Sequence, residues 1–492
     1  MTLRSAALGF LFVHPFAISM VSTVDSPRTS LNYLAAHAAT LSARSPSPNQ
    51  NLLPLTAQVA ENDHLVVGGC DVPQLLERYG SPLYVLDEDT LRAACQQYRD
   101  AMQQYYPGES LVIYASKAWN CLAVCAVVNQ ENLGIDVVSG GELLTAVKAG
   151  VPSDRLYFHG NNKSLDELQQ GIESGCRIVV DNWFELKSLR QLAQAANKTV
   201  PILLRLTPGI ECHTHEYIRT GHLDSKFGFD PDQIEEVFQF VAQQPQLSCL
   251  GLHAHIGSQI FELQPHADLA GVMVQWLKKA AEYGLPVSEL DIGGGLGICY
   301  TEQDDPPSIE TWVKTVAEAV AQACETQGVP LPKLIAEPGR SLIGTAAVTA
   351  YKVGSQKTVP GIRTYVAVDG GMSDNPRPIT YQSVYRALAA NQMSAPLTEK
   401  TTLAGKHCES GDVVIQEAYL PALAANDVIV VAGTGAYNYS MASNYNRVPR
   451  PAAVLVKAGE AHLIIQRETL QDLIRHDCLP ASLTATAGAD SE

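Results

Sequence analysis

The chain has 492 residues, a formal net charge of −17, 46% apolar side chains and 17% charged ones. That is the make-up of a globular protein long enough for a large core or for two to three domains. An acidic excess of this size repels nucleic acid and anionic membranes, so neither is expected as a partner.

Eleven cysteines are scattered without a CxxC pair, and Cys121 and Cys125 stand four apart on an expected helix. This is the pattern of reduced thiols in a cytoplasmic enzyme rather than of a disulfide framework or a zinc finger.

At the N-terminus, Arg4 and the apolar run Ala6–Val13 resemble a short signal peptide. The run is broken by His14 and Pro15 and is too short to span a bilayer. Met20 is an alternative start. Residues 21–55 are rich in Ser, Pro, Thr and Asn, and the stretch 1–58 is expected to be a disordered tail. Leu65–Leu86 is strand-rich, and residues 59–87 are expected to join a β domain further along the chain.

From about residue 87 a strand–helix alternation begins. Strand-like runs fall at Leu111–Ala115, Ile135–Val138, Leu156–Phe158, Ile178–Val180, Ile202–Leu206, Leu250–His255, Leu290–Ile292 and Leu334–Ala336. Stretches of helical periodicity separate them, among them Glu142–Ala149, Leu165–Glu173, Leu269–Tyr283 and Trp312–Thr326. Eight strands alternating with helices predict a (β/α)8 barrel over residues 88–344. Beyond it the texture changes. Ala347–Val353, Thr364–Val368, Val413–Ala418, Asp427–Val431, Ala452–Lys457 and His462–Gln466 follow one another without long helices, which predicts an all-β domain over 345–475. Residues 476–492 are expected to be a disordered C-terminal tail.

Barrel enzymes place their chemistry at the C-terminal ends of the strands. Here all eight ends are polar or glycine-rich. In order they carry Ser116-Lys117, Ser139–Glu142, His159–Lys163, Asp181, Arg205, His253–Ser258, Gly293–Gly295 and Glu337–Arg340. The glycine triplet Gly293, Gly294 and Gly295 lets backbone N–H groups approach an anion closely, although alone it is equally a tight turn. Arg340, one strand later, is a suitable phosphate partner. Lys117 at the mouth is a candidate Schiff-base residue, although most lysines are simply solvated. Glu337 ends a buried strand and therefore wants a cationic or protonated partner, such as a pyridinium nitrogen. His253 and His255 share one strand face. They lack the further ligands of a recognisable metal motif, so no metal is expected, and stacking on a flat cofactor suits His255 better.

These segments together resemble the fold-type III pyridoxal-phosphate decarboxylases, the family of ornithine, arginine and diaminopimelate decarboxylases. The resemblance runs from about Gly80 to Asp472. It rests on Tyr114–Ala118 (YASKA), Asp136–Leu143 (DVVSGGEL), Phe158–Ser164 (FHGNNKS), Thr220–Gly228, His253–Gln259 (HAHIGSQ), Glu337–Arg340 (EPGR), Cys408–Asp412 (CESGD) and Tyr445–Arg450 (YNRVPR). It implies an alanine-racemase-like barrel with pyridoxal 5′-phosphate as cofactor and a head-to-tail homodimer with shared sites.

By position, the resemblance implies that Lys117 holds the cofactor covalently, His255 stacks on its ring and Glu337 pairs with its nitrogen. Ser258, Gly293–Gly295 and Tyr437 would hold the phosphate, with Arg340 nearby. Arg340, Arg377 and Tyr381, beside Tyr437, would bind a distal carboxylate. Glu409 would recognise a distal amine, and Cys408, reaching across from the second subunit, would return a proton. The members acting on diaminopimelate match best, with Glu409 after the cysteine. The implied reaction is therefore decarboxylation of meso-2,6-diaminopimelate to L-lysine, the last step of lysine biosynthesis. Alternatives are decarboxylation of arginine, ornithine or carboxynorspermidine, or a catalytically silent homologue. The segment Met372–Tyr381 departs from the family pattern while keeping the spacing of Arg377 and Tyr381. The stretch Gln382–Thr402 has no clear place.

Overall fold

The computed structural model describes residues 47–210 and 225–483. The expected N-terminal tail up to residue 46, the alternative start at Met20, the first part of the Thr220–Gly228 segment and residues 484–492 lie outside them.

Three short strands, β1 (Gln58–Val59), β2 (Leu65–Val67) and β3 (Cys70–Asp71), form a small antiparallel sheet. The helix Val72–Tyr79 follows, with the Asp71 carboxylate accepting from the Gln74 N–H and Pro73 in the first turn. β4 (Leu83–Asp87) then delivers the chain to the helix Glu88–Tyr105, whose first turn is capped by the buried Asp87.

The next eight strands close into a barrel: β5 (Ser110–Ala115), β6 (Gly134–Val137), β7 (Leu156–Phe158), β8 (Arg177–Val180), β9 (Val200–Arg205), β10 (Leu247–His253), β11 (Glu289–Asp291) and β12 (Lys333–Ala336). Every neighbouring pair is parallel, including the closing pair of β12 with β5. Parallel strands buried on both faces read as the near-continuous apolar runs seen in the sequence. Ile113, Tyr157, Val179, Leu203 and Ile335 fill the barrel interior. The floor is plugged by Arg177, which donates to Glu289 at 2.7 Å beneath Tyr157. A packed interior and a plugged floor leave the opposite mouth as the place for chemistry.

The β domain is a nine-stranded sheet in which β4 lies between β13 (Ala347–Val359) and β19 (Ala452–Lys457). The N-terminal strand thus ties the start of the chain to the domain that follows the barrel, antiparallel to one neighbour and parallel to the other. β14 (Arg363–Val368), β15 (Ala387–Ala389), β16 (Glu399–Ala404), β17 (Val413–Leu420), β18 (Val428–Val431) and β20 (Glu460–Ile465) complete the sheet. The stretch left unplaced by sequence contains β15 and the start of β16. β15 pairs with β18 and is only three residues long, too short for its alternation to be read.

One expectation is corrected. Residues 47–58, assigned to a disordered tail, are packed: Asn49 sits on the barrel loops, Leu52 and Leu53 are buried in the core of the β domain, and Gln58 pairs with Val66. The Asn49 side-chain amide donates to the carbonyls of Gly297 (3.1 Å) and Pro307 (2.9 Å), and Cys299 N–H donates to the Asn49 carbonyl (2.9 Å). Ser47 and Asn49 are buried. The polar composition that mimics disorder here serves loop carbonyls that would otherwise be unsatisfied. At the other end, residues 476–483 are exposed. Among the described residues no helix is long and apolar enough to cross a membrane.

Candidate active site

The barrel mouth opens into a cavity of about 510 Å³, within the size range of small-molecule sites. It is lined from the barrel by Lys117, His255, Ser258, Gly295, Glu337 and Arg340, and from the β domain by Arg377, Tyr381 and Tyr437. Nine residues singled out from sequence therefore meet at one place. Gly293 and Gly294 form its backing.

Lys117 occupies a single helical turn, Ser116–Ala118, directly after β5, and its ammonium lies 3.7 Å from Asp136 Oδ2. Burial works against its charge, but Asp136, Tyr437 and Glu337 outweigh it and raise its pKa. Asp136 comes from β6, where burial and Glu337 raise its pKa against the pull of His159 and Lys117. Neither Asp136 oxygen has a hydrogen bond.

Glu337 ends β12 and is approached by two imidazoles. His159 Nε2 lies 2.8 Å from Oε1 and His253 Nε2 lies 3.2 Å from Oε2. The carboxylate can only accept, so the His253 ring donates. Burial alone would raise the Glu337 carboxyl; the two rings outweigh it and hold it well below the usual carboxylate range. His253 is pushed down to about 3 by burial, so it acts as a neutral ring. Asp291, buried against Glu337, is pushed well above its ordinary value. The His159, His253 and Glu337 ligand atoms lie within 4.8 Å of one another, a set that could also bind a metal ion.

The glycine triplet follows β11. Gly294 packs so tightly on the Glu337 carbonyl that a Cβ would collide with it. Gly293 adopts φ 68° against the His255 ring, leaving no room for a side chain. Gly294 N–H donates to His255 Nδ1 at 3.2 Å, which fixes that ring as a wall of the cavity.

Arg340 donates through Nε and Nη2 to Ser258 Oγ (3.2 and 3.0 Å) and through Nη1 to the Tyr300 hydroxyl (2.6 Å). Arg377 donates to the hydroxyls of Tyr385 (3.0 Å) and Ser383 (3.3 Å). Both guanidiniums lie over the Tyr437 ring, at 4.9 and 5.6 Å. Tyr437 takes a left-handed backbone, φ 65°, held by donation of its N–H to the Ala118 carbonyl beside Lys117. One end of the cavity thus carries a lysine between carboxylates, and the other carries two braced arginines.

Two expected residues are not in this cavity. Cys408 is exposed, and Glu409 faces Tyr445 on the same outer loop. Other residues escaped the sequence reading. His159 and Arg205 stood at strand ends without a role. Asp136 could have been found as a charge inside an apolar strand. Tyr300 and Tyr385 carry no local signal, because their partners are brought to them only by the fold.

The fold and this mouth define the class, a (β/α)8-barrel enzyme joined to a β domain. Residues 88–344 match the family described as "Pyridoxal-dependent decarboxylase, pyridoxal binding domain", and the chain belongs to that family. It is 65% identical over 447 residues to a diaminopimelate decarboxylase of Synechocystis sp., covering 89% of this chain and 95% of that one. It is 46% identical over 427 residues to one from Bacillus subtilis, covering 86% and 97%. The crystal structure of M. jannaschii diaminopimelate decarboxylase with L-lysine superimposes with a TM-score of 0.82 at 31% identity, covering 89% of this chain and all of that one.

Proposed function

We propose that this protein removes one carboxylate of meso-2,6-diaminopimelate as carbon dioxide and releases L-lysine, using pyridoxal 5′-phosphate. The observation that carries the reading is the two-ended cavity. The Lys117–Glu337 end suits the cofactor, and the Arg340–Arg377 end suits an anion at the far end of an extended substrate. The curated relatives with this activity support the substrate assignment. A decarboxylase of arginine or ornithine would have no carboxylate for Arg377 to meet.

The residues fit the cofactor. Both buried oxygens of Asp136, 3.7 Å from the Lys117 ammonium, lack hydrogen bonds, and Glu337 is a buried carboxylate held ionised at the mouth, as expected where a Schiff-base lysine and a ring nitrogen are to be accommodated. When bound, pyridoxal phosphate supplies a protonated ring that accepts the electron pair left by the departing carboxylate. Lys117 Nζ would hold the cofactor covalently. Glu337, kept ionised by two imidazoles, would hold a proton at its ring nitrogen. His255, fixed by Gly294, would pack against its ring. Ser258, the Gly293–Gly295 N–H groups, Tyr437 and Arg340 would take its phosphate. Arg377 and Tyr381 would fix the substrate's distal carboxylate, with Arg340 close by.

Cys408 and Glu409 are exposed and do not line their own chain's cavity. The protein therefore works as a homodimer in which Cys408 of the partner subunit returns the proton and the partner's Glu409 reads the distal amine. Residues 88–344 form the cofactor domain, and residues 345–475 with 59–87 form the β domain. The cytoplasm is its place of action. The test is carbon dioxide release by cofactor-loaded protein offered meso-diaminopimelate, L-lysine, L-ornithine and L-arginine separately. Release from diaminopimelate alone is expected. Release only from ornithine or arginine would overturn the substrate, and no release would bring the silent homologue forward.

A further inference from the structure

Cys408 and Glu409 hang from a loop, residues 405–412, that is organised by one buried carboxylate. Asp412 Oδ2 accepts from the His407 backbone N–H (2.9 Å) and lies 2.7 Å from His407 Nδ1, while Oδ1 accepts from Met372 N–H (2.7 Å). Since the carboxylate only accepts, the ring carries its hydrogen on Nδ1. Both side chains are sealed, at 0% and 2% exposure. The loop closes through Gly405 N–H to the Asp412 carbonyl and Lys406 N–H to the Gly370 carbonyl, each 2.9 Å. The glycines at 371 and 405 are there to admit the carboxylate, and a side chain at either would strike it.

The outer face of the loop leads back to the same pair. The His407 ring stacks on Tyr445, with centroids 5.9 Å apart and planes at 21°. The Tyr445 hydroxyl donates to Glu409 Oε2 at 3.4 Å, and its neighbour Asn446 accepts the Cys408 N–H at 2.9 Å. Neither His407 nor Asp412 lines the cavity of its own chain.

We infer that His407 and Asp412 form a positioning clamp that sets Cys408 and Glu409 for the partner subunit's cavity, and so act across the dimer. The inference rests on the shared-site reading above. The competing route is within one chain, because Met372 lies upstream of Arg377. That route is weak. Asp374 is braced independently by the Tyr351 hydroxyl and Gly371 N–H, and Arg377 by Tyr385 and Ser383. Losing Asp412 leaves Arg377 held and the loop unheld.

Asp412→Asn is the variant to use. Whichever way the amide turns, its NH₂ faces an N–H donor, so part of the clamp opens without a change of size. The expected result is a kcat lower by about tenfold or more together with a raised KM, because the proton donor and the residue that reads the distal amine are misplaced together while Arg377 still holds the carboxylate. The dimer and the bound-cofactor absorbance are retained.

The deciding experiment purifies hybrid dimers of Asp412→Asn with Lys117→Ala, each chain carrying its own tag. The hybrid has one site with an intact Lys117 facing an intact loop, so it recovers about half the wild-type rate per dimer. A Lys117→Ala and Cys408→Ala hybrid is the control and recovers the same half. If the control fails, the shared-site reading falls and the clamp falls with it. If the control recovers and the Asp412 hybrid gives only about half the Asp412→Asn rate per dimer, the clamp acts within its own chain and only the present inference is overturned. Loss of the dimer or of bound cofactor in Asp412→Asn overturns it too.

Discussion

The barrel mouth and the loop at 405–412 solve opposite problems. At the mouth the reactive groups are enclosed and preset. Glu337 is 5% exposed, two imidazoles converge on it, and each arginine is held by hydroxyls before any substrate arrives. On the loop the supporting groups are buried and the residues proposed to act are not. His407 and Asp412 are sealed, whereas Cys408 and Glu409 are exposed. Low dielectric strengthens interactions inside the mouth and fixes charge where electrons must be drawn away. A residue proposed to serve a neighbouring chain must instead project outward, so its precision has to come from beneath. An enclosed site and a presented one thus differ in where the rigid framework lies.

The largest effects separate the two regions most sharply. Lys117→Ala should lower turnover by about 10³-fold or more and abolish the absorbance of bound cofactor. Cys408→Ala should lower kcat by about 10²-fold while leaving that absorbance intact. If both variants lost cofactor, the loop would belong to the cofactor site and the distinction would fail.

Smaller effects refine the anion end of the mouth. Arg377→Lys should raise KM for diaminopimelate about tenfold, since a single ammonium replaces a planar fork gripped by Tyr385 and Ser383. Tyr385→Phe should cost about 1 kcal/mol, a few-fold in KM, with kcat retained. Equal losses in kcat would mean that Tyr385 acts on the reaction itself rather than through Arg377.

The smallest effect concerns pH. Burial pushes Glu142, near Asp136, up to about 7 from an ordinary 4.5. Between those values the fold keeps a proton that the unfolded chain has released, so this group's contribution to stability declines as pH rises through the window. Glu142→Gln, neutral throughout, should flatten that part of the stability curve, as read by urea midpoints at pH 5 and pH 8. An unchanged slope would show that Glu142 is not its source.

Much of this was legible in the sequence because it is local. Each barrel strand announced itself by a short apolar run, and the strand rule then placed Lys117, His255, Glu337 and Arg340 at one mouth. The resemblance carried over Arg377, Tyr381 and Tyr437 by position, and the fold brings them to the same cavity. What stayed hidden is relational. Tyr300 and Tyr385 matter only through the guanidiniums that reach them, and the imidazole pair on Glu337 joins strands β7, β10 and β12, far apart in the chain. Residues 47–58 misled for the same reason, because a polar Asn49 serving distant carbonyls reads like a solvated tail. The pairing of β4 inside the later sheet joins segments more than 250 residues apart in the chain, beyond the reach of any periodicity.

The most direct test of the account is product analysis. Purified protein loaded with pyridoxal phosphate would be given meso-diaminopimelate, and carbon dioxide and amino-acid products would be measured together. The account predicts one L-lysine for each carbon dioxide released. Carbon dioxide without L-lysine, or no consumption of diaminopimelate by protein that holds its cofactor, would contradict it.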